Sequence, residues 1–289
     1  MIWKGIILAG GSGSRLYPLT FGLSKQLLPI YDKPMIFYPI SIFMLAGIRE
    51  ILIIVNPNDE SSFKRLLGNG SDFGLKLEYK VQESPRGIAE AFIIGEEFIA
   101  DKNVSLILGD NIFYGNEFNH IIEKVKNRHE GATIFGYQVS DPERFGVLQL
   151  KDNKVLSIEE KPKKPKSSYA IPGLYFYDNK VVEYVKKLKP SARGELEITD
   201  LNKIYLEKQK LYASIIGRGV IWLDAGTRDS LVNASNLIKT VEDRQGLKIA
   251  CLEEIAYKNK WLNKKQIQNI ISKYKSSDYG RYLSSIIKC

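Results

Sequence analysis

A chain of 289 residues with 44% hydrophobic content and a net charge of +9 can bury a large core without a disulfide framework or a metal staple. Its longest apolar runs, residues 51–55 and 104–108, are strand-sized against the roughly 20 residues of a membrane span, and the opening Met1-Ile2-Trp3-Lys4-Gly5-Ile6 lacks a signal-peptide layout. Two cysteines, Cys251 and Cys289, fit a reducing cytoplasm, and the lysine excess is spread along the chain without clustered aromatics, which argues against nucleic acid as a partner.

Residues 3–8 form a short apolar run halted by Ala9-Gly10-Gly11-Ser12-Gly13, a strand entering a glycine-rich turn. Residues 35–46 carry a broad apolar helical face that Gly47 stops, and Pro39 within it requires the helix to begin nearby or to kink. Next come a buried strand at 50–55, a short helix at 63–67 and an alternating, half-buried strand at 75–81. A helix at 88–99 and a buried strand at 105–108 follow. Strands alternating with helices predict an α/β fold with a mainly parallel sheet covered on both faces. Strand-like segments at 132–139, 145–150, 155–159 and 173–177, with tight turns such as Asp152-Asn153, either extend that sheet or add an antiparallel flap. Helices at 181–188 and 198–207, a strand at 211–216 and purely helical spacing from Ser230 complete the chain. The expected division is an α/β domain over 1–227 and a helical C-terminal portion over 228–289 packed on it.

Gly10-Gly11-Ser12-Gly13-Ser14-Arg15 places flexible backbone after a buried strand, where N–H groups can converge on an anion. Leu16 stands where the dinucleotide pattern needs glycine, and the Gly-Lys-Ser/Thr of a P-loop is missing. Taken alone, such a turn reads more often as a plain tight turn than as an anion cradle; Arg15 and Lys25 add cations suited to clamp a triphosphate. Asp110 and Asp224 each end an apolar run, where ligands gather in open α/β sheets, and Mg²⁺ characteristically takes one or two carboxylates plus water and phosphate oxygens. His120 and His129 have no partner at metal-ligand spacing, and no Cys/His or Ser/His pairing is offered for covalent catalysis. Glu160-Lys161 could serve a phosphorylated sugar, though Lys163, Lys164 and Lys166 beside it also read as a solvated charge run.

Leu8-Ala9-Gly10-Gly11-Ser12-Gly13-Ser14-Arg15-Leu16-Tyr17-Pro18-Leu19-Thr20, then Ser24-Lys25-Gln26-Leu27-Leu28-Pro29, resembles the signature of the sugar-nucleotide pyrophosphorylases. Tyr31-Asp32-Lys33-Pro34-Met35 is similar to the glucose-1-phosphate thymidylyltransferase branch. The likeness continues through Leu108-Gly109-Asp110-Asn111, Glu159-Glu160-Lys161-Pro162, Arg193-Gly194-Glu195-Leu196-Glu197-Ile198-Thr199-Asp200, Trp222-Leu223-Asp224 and Asp278-Tyr279-Gly280-Arg281-Tyr282. It implies a Rossmann-like nucleotide-diphospho-sugar transferase fold and Mg²⁺-dependent transfer from dTTP to glucose 1-phosphate. It assigns Arg15, Lys25 and Lys161 to catalysis, and Gly10, Gly11, Ser12, Gly13, Gln82, Gly87 and Asp110 to the nucleotide, with Gln82 and Gly87 reading the base. Asn111, Gly146, Glu160, Lys161, Ile171 and Gly173 are implied to meet the sugar and its phosphate, and Asp110 and Asp224 the metal. A homotetramer and feedback by a deoxysugar nucleotide of the rhamnose pathway are implied too, with Tyr114, Gly115, Cys251 and Glu254 at a second nucleotide site. Arg86, Pro172, Ala225 and Phe145 depart from the family's usual acidic residue, threonine, threonine and tyrosine, which bears on the breadth of sugar and base specificity.

Overall fold

The sheet is built outward from strands that are apolar on both faces. In the computed structural model, which describes residues 3–152, 154–274 and 277–287, β1 (Trp3–Ala9) is paired in parallel with β4 (Glu50–Val55) and β6 (Asn103–Leu108). Asn153 and Cys289, both singled out from the sequence, lie outside the described residues. Ile6, Leu52 and Ile54 pack with Phe92 on one side, while Ile7, Ile51 and Ile53 pack with Phe43 on the other. A strand with helices on both faces has no solvent side, so these segments read as continuous apolar runs. The helices on the Phe43 side include α1 (Phe37–Leu45) and, further along, α2 (Glu60–Leu67), which leads into the edge strand β5 (Lys76–Val81). Pro39 is the third residue of α1, within the first turn, where a missing N–H costs nothing.

Two small elements precede α1: β2 (Pro29–Ile30) and β3 (Lys33–Pro34) form an antiparallel hairpin. On the other face the helix expected over 88–99 is two, α3 (Glu90–Ile94) and α4 (Glu96–Ile99), divided at Gly95. A Cβ on Gly95 would lie 2.9 Å from the Ile6 side chain, so glycine is there to let the helical layer touch the sheet.

The middle of the chain extends this same sheet. After β7 (Asn111–Tyr114) and α5 (Glu117–Lys126) come β8 (Ala132–Gln138), the hairpin β9 (Gly146–Lys151) and β10 (Lys154–Glu160), then β11 (Tyr169–Ala170) and β12 (Leu174–Tyr177). The ten-stranded order is β10-β9-β11-β8-β12-β6-β1-β4-β5, with β13 (Leu211–Ile216) parallel to β8. β11 and β12 run one after the other along β8, but β11 also pairs with β9 while β12 also pairs with β6. Between them, at Ile171-Pro172-Gly173, the sheet forks. Two helices, α6 (Val181–Val185) and α7 (Ile198–Glu207), lie on the Phe92 side.

Outside the large sheet, β14 (Ile221–Asp224) pairs antiparallel with β7, setting Asp224 opposite Asn111. The C-terminal helices follow: α8 (Arg228–Gln245), α9 (Leu252–Lys258), α10 (Lys264–Tyr274) and α11 (Asp278–Ile286). A reciprocal capping box starts α8, the Thr227 hydroxyl accepting from Ser230 N and the Ser230 hydroxyl from Thr227 N. Buried Lys33 of the hairpin reaches Glu242 of α8 at 3.0 Å, and Lys248 reaches the same carboxylate at 3.0 Å. Tyr274 and Tyr279 each donate to the fully buried Glu253 at 2.7 Å, fastening the last helices to α9. No helix among the described residues is long and apolar enough to cross a membrane.

Candidate active site

The carboxyl ends of β1, β5 and β6 converge with β14 on one side of the molecule. The chain leaves β1 into Gly10-Gly11-Ser12-Gly13, where Gly13 holds φ +64°, a left-handed value that favours glycine, and its carbonyl accepts from the Thr20 hydroxyl at 2.8 Å. A Cβ at Gly10 would stand 2.9 Å from Oε1 of Gln82, and one at Gly11 only 3.9 Å from the Lys25 side chain. The glycine loop, Gln82 and Lys25 are therefore neighbours. The Lys25 ammonium in turn hydrogen-bonds and ion-pairs with Asp110, directly beyond β6.

The two aspartates meet because β7 and β14 pair. Ala225 N donates to the Asp110 carbonyl at 3.0 Å, and Asp224 sits opposite Asn111 in the ladder. Burial opposes ionisation of Asp110, yet the Lys25 charge and hydrogen bond, with help from Asn111, hold its carboxyl below the usual aspartate range. Asp224 moves the other way: burial and the Asp110 charge raise it, against the opposing influence of Lys25, Arg15 and Arg144. Two carboxylates that disfavour each other are suited to share a divalent cation. Among the described residues no group of three or more His, Cys, Asp and Glu side chains is arranged for a metal. The pair thus fits an ion that fills its remaining positions with phosphate oxygens and water, as Mg²⁺ does, better than a closed protein cage.

Arg15 is exposed and its side chain has no hydrogen bond or ion pair among the described residues; its guanidinium reaches Gly226, beside Asp224. It borders a cavity of about 370 Å³ that opens where the sheet forks and is also lined by Asp110, Asp224, Gly146, Glu160, Lys161, Ile171 and Gly173. Such a volume suits a small ligand. Glu160, at the end of β10, accepts from the Thr199 hydroxyl at 2.5 Å and lies 3.7 Å from Lys161 Nζ and 3.8 Å from the Arg193 guanidinium. Lys161 holds φ +42°, costly for a side chain with a Cβ, and lines this cavity.

Asn111 behaves differently from the other expected sugar residues. Its Oδ1 accepts from Gly173 N at 2.9 Å and Trp222 Nε1 at 2.7 Å, while Nδ2 donates to Asp110 at 3.2 Å, so its amide braces β7, β14 and the fork together. Gly87 is likewise held by a close approach: at φ +104°, a Cβ would lie 2.4 Å from the Leu196 carbonyl. Gly87→Ala is expected to cost about 1–3 kcal/mol, because residues 86–89 must leave their backbone contacts with Leu196. Thermal unfolding checks this, and an unchanged midpoint would contradict it.

Arg193, Thr199, Arg144 and Trp222 also line the cavity, and the sequence reading gave them no role. The available signal was the turn Arg193-Gly194-Glu195 ahead of a helix; its pairing with Glu160 depends on a contact across the sheet. Ser12 is in the glycine loop, while Gly10, Gly11, Gly13, Lys25 and Gln82 stand beyond Asp110, outside the cavity wall. His120 is exposed on α5, its Nδ1 4.0 Å from Glu123. A second cavity, about 570 Å³, lies between α1, β7 and α9 and is lined by Tyr114, Gly115, Cys251 and Glu254 together. There Tyr282 donates to Glu254 at 2.6 Å, and burial pushes the Cys251 thiol above its ordinary range.

The nucleotidyl transferase family model matches residues 4–241. Glucose-1-phosphate thymidylyltransferase of Neisseria gonorrhoeae is 59% identical over 285 residues, covering 98% of this chain and 99% of that protein. A Bacillus anthracis crystal structure carrying the same enzyme name and solved with sucrose is 46% identical, with a TM-score of 0.76 over 81% of this chain and 94% of its own. A UDP-glucose pyrophosphorylase complexed with UDP-glucose matches at a TM-score of 0.73, covering 83% of this chain and 100% of its own; at 23% identity it speaks for the fold alone.

Proposed function

Because the chain belongs to the nucleotidyl transferase family, and within it to the glucose-1-phosphate thymidylyltransferases, we propose that this enzyme transfers the thymidylyl group of dTTP to α-D-glucose 1-phosphate, releasing pyrophosphate. The observation that carries the reading is the Lys25–Asp110–Asp224 cluster standing between a glycine-rich anion loop and a cavity flanked by Lys161 and Arg193. Nucleotide phosphates and a sugar phosphate can thus meet across one pair of carboxylates.

The reaction asks for positioning and charge stabilisation, not a protein nucleophile. A phosphate oxygen of the sugar phosphate attacks the α-phosphorus in line, and the bond to the β-phosphate breaks. Main-chain N–H groups of residues 10–13 and the Arg15 guanidinium hold the β and γ phosphates and the departing pyrophosphate. Lys25 offers its proton-bearing ammonium to the charge growing on the α-phosphoryl oxygens. On the opposite side Lys161, with Arg193 next to it, orients the attacking phosphate while Glu160 accepts sugar hydroxyls. Gln82 meets the base. Mg²⁺ bound by Asp110 and Asp224 would supply Lewis-acid neutralisation of the phosphate oxygens. Extending the reading, the product dTDP-glucose would enter dTDP-rhamnose or related deoxysugar synthesis in the cytoplasm. The chain would work as a homotetramer, and the cavity at Tyr114 and Glu254 would take a nucleotide of that pathway as feedback inhibitor.

A panel of dTTP, UTP, dCTP and ATP against glucose, galactose and mannose 1-phosphates, followed by pyrophosphate release, tests the substrate assignment. dTTP with glucose 1-phosphate should give the highest kcat/KM. A tenfold preference for another pair would replace it.

A further inference from the structure

We propose that Glu90 is a positioning residue for base selection: it fixes which way round the Gln82 amide faces, and so favours a base whose pairing edge carries a ring N–H, the imide of thymine or uracil, over cytosine. The proposal rests on the reading that Gln82 meets the base.

Gln82 follows β5, is buried, and has its backbone N–H fixed on the Val55 carbonyl at 2.8 Å. Its Nε2 donates to Glu90 Oε2 at 2.8 Å. Glu90 is itself 5% exposed, at the start of α3, and its other oxygen lies 2.8 Å from Arg86 Nε. A carboxylate paired with a guanidinium only accepts. The amide nitrogen must therefore face Glu90, which turns Oε1 towards Gly10, where a Cβ would stand 2.9 Å from it.

An unconstrained glutamine amide can rotate half a turn and exchange donor for acceptor. Glu90 removes that freedom, because the reversed amide would set two buried acceptors against each other. With Oε1 presented, Gln82 can accept from N3–H of thymine or uracil, and the second Nε2 hydrogen is free for a neighbouring base carbonyl. Cytosine shows an acceptor at N3 and an amino donor beside it, the pattern that only the reversed amide would match. Arg86 completes the arrangement by occupying Oε1 of Glu90 and leaving Oε2 for Gln82. The device does not separate thymine from uracil, since both carry the same imide edge.

The test measures kcat and KM for dTTP, dUTP and dCTP with glucose 1-phosphate in wild type, Glu90→Gln and Gln82→Ala. A glutamine at 90 can donate or accept, so Gln82 is free to turn. The dCTP-to-dTTP ratio of kcat/KM is expected to rise about tenfold, chiefly through KM, with the dUTP-to-dTTP ratio unchanged. If Glu90→Gln keeps the wild-type dCTP ratio while Gln82→Ala changes it, Gln82 reads the base and Glu90 does not orient it, and the proposal is overturned. If Gln82→Ala also keeps the wild-type ratio, Gln82 does not read the base at all, and the underlying assignment falls with it. An equal loss with all three nucleotides marks a structural role and overturns the proposal as well. Should Glu90→Gln not fold, dTDP and dCDP binding to Arg86→Gln, altered at an exposed side chain, carries the test. There the preference should narrow about threefold as Glu90 loses one anchor, and an unchanged preference overturns the proposal.

Discussion

Lys25→Ala is expected to lower kcat about 10²–10³-fold, the loss seen when one preorganised charge or donor is removed from a developing oxyanion. Lys25 is mostly buried and directed at Asp110, so its ammonium is already desolvated and placed between the glycine loop and the carboxylate pair. An ammonium in that position strengthens as charge moves onto the α-phosphoryl oxygens, so its removal should fall on kcat more than on KM. Stability should drop too, because Asp110 remains buried without its cation. The folded Asp110 carboxyl is held below the ordinary value of 3.8, so the pair contributes stability above that pH and loses it as acid titrates the folded group. The stability gap between wild type and variant should therefore be full at neutral pH and close in acid. Steady-state pyrophosphate release and thermal unfolding across pH check both halves, and turnover within tenfold of wild type would remove Lys25 from the mechanism.

Asp224→Asn is expected to separate activity from stability. Burial and the Asp110 charge raise the Asp224 carboxyl, so at neutral pH its ionised form works against the fold. Asparagine keeps the shape and removes the charge, and the unfolding midpoint should rise. The same change takes away one carboxylate of the Asp110–Asp224 pair, so kcat/KM should fall about 10²–10³-fold and the Mg²⁺ concentration for half-maximal rate should increase. Chelation by EDTA should abolish wild-type turnover, and Mg²⁺ should restore it. A variant that is both slower and less stable would mean Asp224 is a structural residue.

Elements whose signal is local could be read from the sequence. The strands β1, β4 and β6 are apolar on both faces, and the boundaries of α7 and β13 coincide with the periodic segments at 198–207 and 211–216. What eluded the sequence depends on distant partners. β7 and β14 are four residues each; the apolar run ending at Asp224 is visible, but the segment it pairs with is not. The break falls at Gly95, where a Cβ would lie 2.9 Å from the Ile6 side chain, a neighbour that the local sequence does not reveal. The site divides in the same way. Arg15, Asp110 and Asp224 are legible as charged residues after a glycine turn or an apolar run, and Lys25 as a further cation ten residues beyond Arg15. Arg193 and Thr199 acquire their place only through Glu160, which reaches them from another strand.

The ladder joining β7 to β14 has a temporal side. Its side-chain brace, Trp222 on Asn111, spans 111 positions of sequence, and closing so long a loop before the intervening strands have settled costs entropy with little return. A chain emerging from denaturant would regain helical signal first and join its distant carboxylates near the end. Catalysis is then a clock for native assembly, and partly folded chains stay silent toward their reactants.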